Sequence, residues 1–295
     1  MLVTDIKAPA SFDCDFYRND KPYLRSDDDA RDHFLAVGRR SGLKGSPACD
    51  LGYLLNFIRN LNPGKMLEIG PGCSPKLKGE NVYYFDVKSK EELDDRYHSE
   101  PGGNGVPEKI HYVDGSGNLG IISDKFDVVF SSHAIEHVLD LVNHLTDVEN
   151  ILEPGGVYVV VAPNKNFTFD YFKPISVVED VIANHFDGRR ASPNALRSVL
   201  LEELRRAHND PARHWAGDHG EPSFEKLRAL SSIGRFEDIA SNDVQISGYH
   251  KWIFTDESFV ELVNALNELD LISLKVHEYY NTPFGGMSFS AVLGR

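Results

Sequence analysis

Long apolar runs are missing from this chain, and with them any candidate for a membrane-spanning helix. The opening stretch, "MLVTDIKAPASFDCDFYRND", carries acids early and no continuous apolar core, so it does not read as a secretory signal and a cytoplasmic protein is expected. Cysteine is scarce: the 3 present, Cys14, Cys49 and Cys73, lie far apart and match neither a disulfide framework nor a CxxC metal knuckle. Free thiols in a reducing compartment are the simplest reading. Basic residues are outnumbered, 31 Lys and Arg against 45 Asp and Glu, for a formal net charge of -14. Such a chain repels a phosphate backbone, so nucleic acid is not its expected partner. No internal repeat or low-complexity tract is evident.

What is present is an ordinary globular composition, 41% hydrophobic and 26% charged over 295 residues, enough for one sizeable α/β domain with additions. Residues 1–50 are polar, with apolar residues at short helical spacings, and predict two short helices and a loop. From "LGYLLNFIRNL" (51–61) the pattern changes to an amphipathic helix and then "KMLEIG", "NVYYFDV", "FDVVFSS" and "GVYVVVAP". These are runs of strand length, apolar on both faces and separated by helix-like or loop segments. They predict a parallel sheet covered on both sides. After Pro163 the strand rhythm stops. "SPNALRSVLLEELRRAH" (192–208) has a Ser cap, Pro at the first helical position and leucines along one face, so it predicts a helix, and the turn-rich "HNDPARHWAGDHGEPSF" predicts a loop. "TDESFVELVNALNEL" then returns as a capped helix, followed by strand candidates "LISLKVHEYY" and "MSFSAVLGR". The expected organisation is a helical N-terminal segment (1–50), an α/β domain (51–163 and 251–295) and an inserted cap (164–250).

In "KMLEIGPGCSPKLKG" a strand ends in Gly70-Pro71-Gly72, where absent Cβ atoms and free backbone N–H groups let a ligand come close. The dinucleotide fingerprint wants a third small residue, but Pro75 stands there, which argues against NAD. Glu68, just ahead of the glycines, suits a ligand carrying positive charge. Asp86, at the end of "VYYFDV", stands where an α/β sheet offers a carboxylate to a ribose. Asp114, in "HYVDGSGNLG", is placed to accept from an adenine amino group. An adenosine with a cationic tail fits all of these.

With these motifs in order, and with "FDVVFSSHAIEHVLDLVNHLTDVENILEPGGVYVVVAPN" after them, the chain resembles the class I S-adenosylmethionine-dependent methyltransferases over roughly 51–163 and 251–295. The resemblance implies a Rossmann-like fold, a seven-stranded, mostly parallel sheet whose last strand is antiparallel. It implies that Glu68, Gly70 and Gly72 surround the amino-acid part of S-adenosylmethionine, that Asp86 binds the ribose, and that Asp114 and Gly115 meet the adenine. Ser131, Ser132 and His133 would lie beside the reactive methyl. Separately, "FDCDFYRNDKPYL" and "ARDHFLAVGRRSGLKGSP" look like a helical segment found beside enzymes of bacterial surface-polysaccharide assembly, which points the acceptor towards a sugar.

The expected function is O-methylation of a sugar in a surface glycan or its precursor. Methylation of a small metabolite or peptide side chain, a non-catalytic cofactor-binding module and a dinucleotide oxidoreductase are the rivals. A hydroxyl acceptor calls for a base. His133, directly after the fourth strand, is the first candidate, with His219 and His250 from the cap as competitors. His133, Glu136 and His137 are expected on one helix face, with His137 a packing residue. His214 and Trp215 are assigned to the acceptor. His214, Asp218 and His219 match no metal-ligand spacing, and no metal is expected. Trp252 reads equally as core or as site, and Asp27 to Asp29 as a solvated helix start.

Overall fold

The computed structural model describes residues 7–98, 105–186, 201, 204–222 and 249–295. Helices α1 (Cys14–Arg18) and α2 (Asp27–His33) open the chain, and α2 runs on into a π-helical turn, Phe34–Gly38. Ser26 and Asp29 close a capping box on α2, so one acid of the Asp27 to Asp29 run fastens the helix start. Helix α3 (Leu51–Asn60), capped by Asp50, leads into strand β1 (Met66–Ile69). Then come β2 (Val82–Asp86), α4 (Lys90–Tyr97), β3 (Tyr112–Val113), β4 (Phe126–Ser132), α5 (Leu141–Ile151) and β5 (Leu152–Pro163). Helices α6 (Val178–Phe186), α7 (Pro211–Trp215) and α8 (Asp256–Glu268) precede β6 (Lys275–Tyr280) and β7 (Ser288–Gly294).

The strands form one seven-stranded sheet, β3-β2-β1-β4-β5-β7-β6. Pairing is parallel from β3 through β5, and β7 runs antiparallel between β5 and β6. Alternation along each strand builds two cores. Leu67, Val129, Tyr158 and Val160 face α5 and α8, while Met66, Val128, Phe130 and Val159 face α3. A third, smaller cluster, Tyr17, Ala30 and Phe34, holds the N-terminal helices together.

Two expectations need correction. The stretch read as a loop contains helix α7, because Asp210 accepts from the N–H groups of Ala212 and Arg213 and Pro211 takes the first helical position. Nor do His133, Glu136 and His137 lie on a helix. His133 has φ 53°, ending β4 abruptly, Ile135–His137 is a single 3-10 turn, and α5 begins only at Leu141. The helix expected over 192–208 falls largely outside the described residues. Among the described residues no helix is long and apolar enough to cross a membrane.

Candidate active site

The loops after β1, β2, β3 and β4 leave the carboxyl end of the parallel part of the sheet, the edge at which open α/β sheets bind their ligands. After β1 the chain turns through Gly70 (φ 69°) and Gly72 (φ 50°), conformations in which a side chain is strained. A Cβ on Gly70 would also come within 3.1 Å of the Ala134 side chain, so this turn and the loop after β4 touch. Asp86, buried at the end of β2, accepts from Gly72 N at 3.3 Å and from Lys88 N at 3.1 Å. Burial pushes its carboxyl above the usual range, against the pull of those N–H groups. The strand-end acid and the glycine turn are thus one assembly.

Glu68 braces the same turn from the side of β1. Its carboxylate is buried and accepts from Lys76 N at 2.9 Å and 3.1 Å and from Leu77 N at 2.8 Å, so it ties down the far side of the glycine loop. Burial raises it to about 7 in spite of these bonds. Asp114 folds its own loop, accepting from Ser116 N at 2.9 Å and Asn118 N at 3.1 Å. The left-handed glycine of that loop is Gly117 (φ 75°), not Gly115. Ser131 points into the core: its hydroxyl lies 2.8 Å from that of Tyr158, which His144 also reaches at 3.1 Å. Strand alternation explains this, since Ser131 shares the face of Val129.

Ser132 and His133 do face a cavity of about 490 Å³, whose walls include Asp50, Glu68, Gly70, Lys76 and Ser288. His133 Nε2 is 2.8 Å from Ser288 Oγ at the start of β7. Burial first, then His250, holds this imidazole down at about 4, so it is neutral near pH 7. Behind it lies Glu136, fully buried, with neither carboxylate oxygen hydrogen-bonded. Oε1 stands 3.6 Å from His133 Nδ1, 3.9 Å from His137 Nε2 and 3.8 Å from His250 Nε2.

Backbone bonds bring these distant segments together. Lys251 N and Trp252 N donate to Glu136 O at 2.8 Å and 3.0 Å, and His137 Nδ1 lies 2.9 Å from Tyr249 O. The loop after β5 adds Asp170, 2.5 Å from His250 Nδ1 and paired with buried Lys173 at 2.6 Å. Burial would raise Asp170, but His250 and Lys173 more than reverse it and hold the carboxyl below its usual range. Burial pushes His137 down to about 4 and Glu136 up to about 7. Trp252 is core, its indole N–H donating to Val138 O at 2.8 Å.

His219 belongs to a separate cluster. It stacks on Tyr171 at 3.6 Å and lies 3.0 Å from His214, both through Nδ1, while Asp218 pairs with Arg213. His214 is buried, with Nε2 3.1 Å from His208 O, and Asp218 does not join it around a common point. Trp215 stacks on Phe167 at 3.8 Å and donates to Gly286 O at 2.8 Å, and Gly286 lines the cavity. Asp170 and Ser288 were not among the residues expected, and Glu136 was expected beside His133 without a role in the site. An acid inside the apolar "AIEHV" was a signal for Glu136, whereas Ser288 reaches His133 only because β7 is antiparallel.

A turn of left-handed glycines beside a buried strand-end carboxylate, on a sheet with a single inserted antiparallel strand, is a nucleoside-binding Rossmann-like arrangement. Residues 68–160 match the family model described as "Methyltransferase domain". Residues 68–160 thus resemble a methyltransferase domain, the kind of domain that takes S-adenosylmethionine as its cofactor. The match does not reach residues 1–50, so the likeness to polysaccharide-assembly proteins gains no support from it.

No curated protein matches the chain. Among solved structures, the CcbJ methyltransferase from Streptomyces caelestis is 23% identical over 35% of this chain and 48% of that one, with a TM-score of 0.26. The glycopeptide N-methyltransferase MtfA is 18% identical over 37% and 51%, with a TM-score of 0.27. The alignments thus span about half the length of those two proteins. A methyltransferase from Clostridium acetobutylicum is 12% identical over 90% and 96%, with a TM-score of 0.40.

Proposed function

We propose that the protein transfers the methyl group of S-adenosylmethionine to a hydroxyl of a sugar or another small polar acceptor, a surface glycan or its precursor being the first candidate. The bound cofactor supplies a methyl already activated on a sulfonium. What remains for the chain is alignment and proton removal. In this reading Gly70, Gly72 and Asp86 hold the cofactor, Asp86 through its ribose, and the cavity beside them takes the acceptor. The cap, 164–250, supplies part of the acceptor wall, and the free thiols of Cys14, Cys49 and Cys73 suit a cytoplasmic setting.

The observation that carries the reading is His133, at the wall of the cavity, its Nε2 bonded to Ser288 Oγ. An acceptor hydroxyl replacing Ser288 as partner of Nε2 could give it a proton, while Ser132, Ser288 and Ser290 offer hydroxyls to a polyhydroxy ligand. Incubation with methyl-labelled cofactor and separate pools of glycan, sugar nucleotide, peptide and small metabolite tests it. Label in a sugar, with a rate at least about a hundredfold lower in His133→Ala and unchanged S-adenosylhomocysteine affinity, is the expected result. Label only in peptide or metabolite would replace the acceptor. Cofactor binding without transfer to any pool would make the chain a binding module.

A further inference from the structure

We propose that Glu136, His137 and His250 form a binding site for a divalent transition-metal ion. One ligand atom from each lies within 4.8 Å of the other two, and among the described residues this is the one such grouping. Its ring nitrogens are already sorted for the task. His137 Nδ1 is committed to Tyr249 O at 2.9 Å and His250 Nδ1 to Asp170 at 2.5 Å, which leaves both Nε2 atoms directed at Glu136. A carbonyl or carboxylate on the second nitrogen is how proteins orient metal-binding imidazoles. Asp170 is itself fixed by Lys173 at 2.6 Å, so the outer partners are in place.

The independent observation is Glu136. Both its oxygens are buried without a hydrogen-bond partner, an arrangement that costs a protein free energy and that an ion would relieve. Two further histidine partners cannot do the same as hydrogen bonds, for 3.8 Å and 3.9 Å are too long. They are close to what a shared ion needs: ligands at about 2.1 Å in tetrahedral array stand roughly 3.4 Å apart. The missing half ångström can come from His137, whose side chain is 35% exposed. Two imidazoles and one carboxylate suit zinc, cobalt, nickel or iron rather than magnesium or calcium. His133 Nδ1, 3.6 Å from the same Glu136 oxygen, connects the site to the acceptor cavity.

Chelator-treated protein titrated with Co2+ tests the site without any turnover. The expected result is one equivalent bound, with visible ligand-field bands of a nitrogen and oxygen site, displaced by Zn2+. His137→Ala, His250→Ala and Glu136→Gln should each weaken binding at least about tenfold, and Asp170→Asn by about tenfold through its loss as orienting partner. S-adenosylhomocysteine affinity checks that each variant is folded. Should a variant fail to fold, X-ray absorption on the Zn2+-loaded wild type decides: two imidazoles and a carboxylate are expected. Binding in the wild type that none of these substitutions alters, Co2+ lost only in His214→Ala or His219→Ala, sulfur ligands, or no stoichiometric binding would each overturn the proposal.

Discussion

Asp86 and Glu68 are both buried acids at the carboxyl end of adjacent strands, yet their hydrogen bonds give them different work. Asp86 spends one oxygen on Gly72 and the other on Lys88, each a single bond, and so keeps accepting capacity for a ribose. Asp86→Ala is therefore expected to weaken S-adenosylhomocysteine at least about tenfold by calorimetry, through loss of charge-assisted bonds. Glu68, held by Lys76 and Leu77, acts on the loop, and its test is stability. Its folded pKa, about 7, lies above the ordinary carboxyl value of 4.5, so the folded state holds the proton more tightly. The stability this contributes is complete below about pH 4.5 and is lost as pH rises towards 7. Melting temperatures measured from pH 4.5 to 8 should show this decline in the wild type and a shallower one in Glu68→Gln. Both acids were legible as site residues from the strand-glycine pattern. The bonds that Glu68 makes were not, because they depend on the backbone of residues 72 to 77, and no local pattern encodes where those N–H groups point. Ser131 was misread for a simpler reason: adjacent serines at a strand end go to opposite faces, and the face given to the core is decided by Tyr158 across the sheet.

At the level of elements, the strands were the most legible part, since "KMLEIG", "FDVVFSS" and "GVYVVVAP" are continuous apolar runs that only a doubly covered sheet can bury. Helix α8 was equally plain from its Thr255 capping box. Segment 249–254 offered His250 and Trp252 as candidates but no sign of how it is held. It has no periodicity and is held by pairing with Glu136 O and Ser176, partners remote in sequence. Helix α7 shows the opposite failure: its cap and proline were visible, but turn formers on both sides outweighed them. Its docking yields a prediction. Trp215 joins the Phe167 ring to the carbonyl of Gly286 on the cavity wall, away from the glycine turn. Trp215→Ala should raise the acceptor KM or lower turnover while S-adenosylhomocysteine affinity stays within about threefold. Equal loss of both would show that α7 supports the whole domain instead.

Across the whole molecule, the N-terminal segment is fastened to the last part of the chain. Arg39 pairs with Asp256 at 3.0 Å and donates to the Tyr279 hydroxyl at 2.8 Å, Phe284 N donates to Gly42 O at 2.8 Å, and Asn281 donates to Leu43 O at 3.1 Å. Arg39→Ala should cost roughly 2–4 kcal/mol in urea unfolding, since it strands Asp256 in a largely buried place, and the transition should remain single. Gly42→Ala should cost at least about 1–2 kcal/mol. Gly42 has φ 71°, and a Cβ there would come within 2.6 Å of both Phe284 N and the Trp215 ring. These contacts also bear on the order in which the protein can assemble during synthesis. The bonds from Ser11 to Glu278 and from Tyr280 to Pro9 span 267 and 271 residues. Pro9 and Ser11 must therefore wait for partners synthesised well over two hundred residues later. The wait leaves the α3 face without Tyr280 and Val292, which complete its cluster, while the sheet is still unfinished. A nascent chain stalled before residue 278 is expected to expose this segment to protease, and release of the finished chain to protect it.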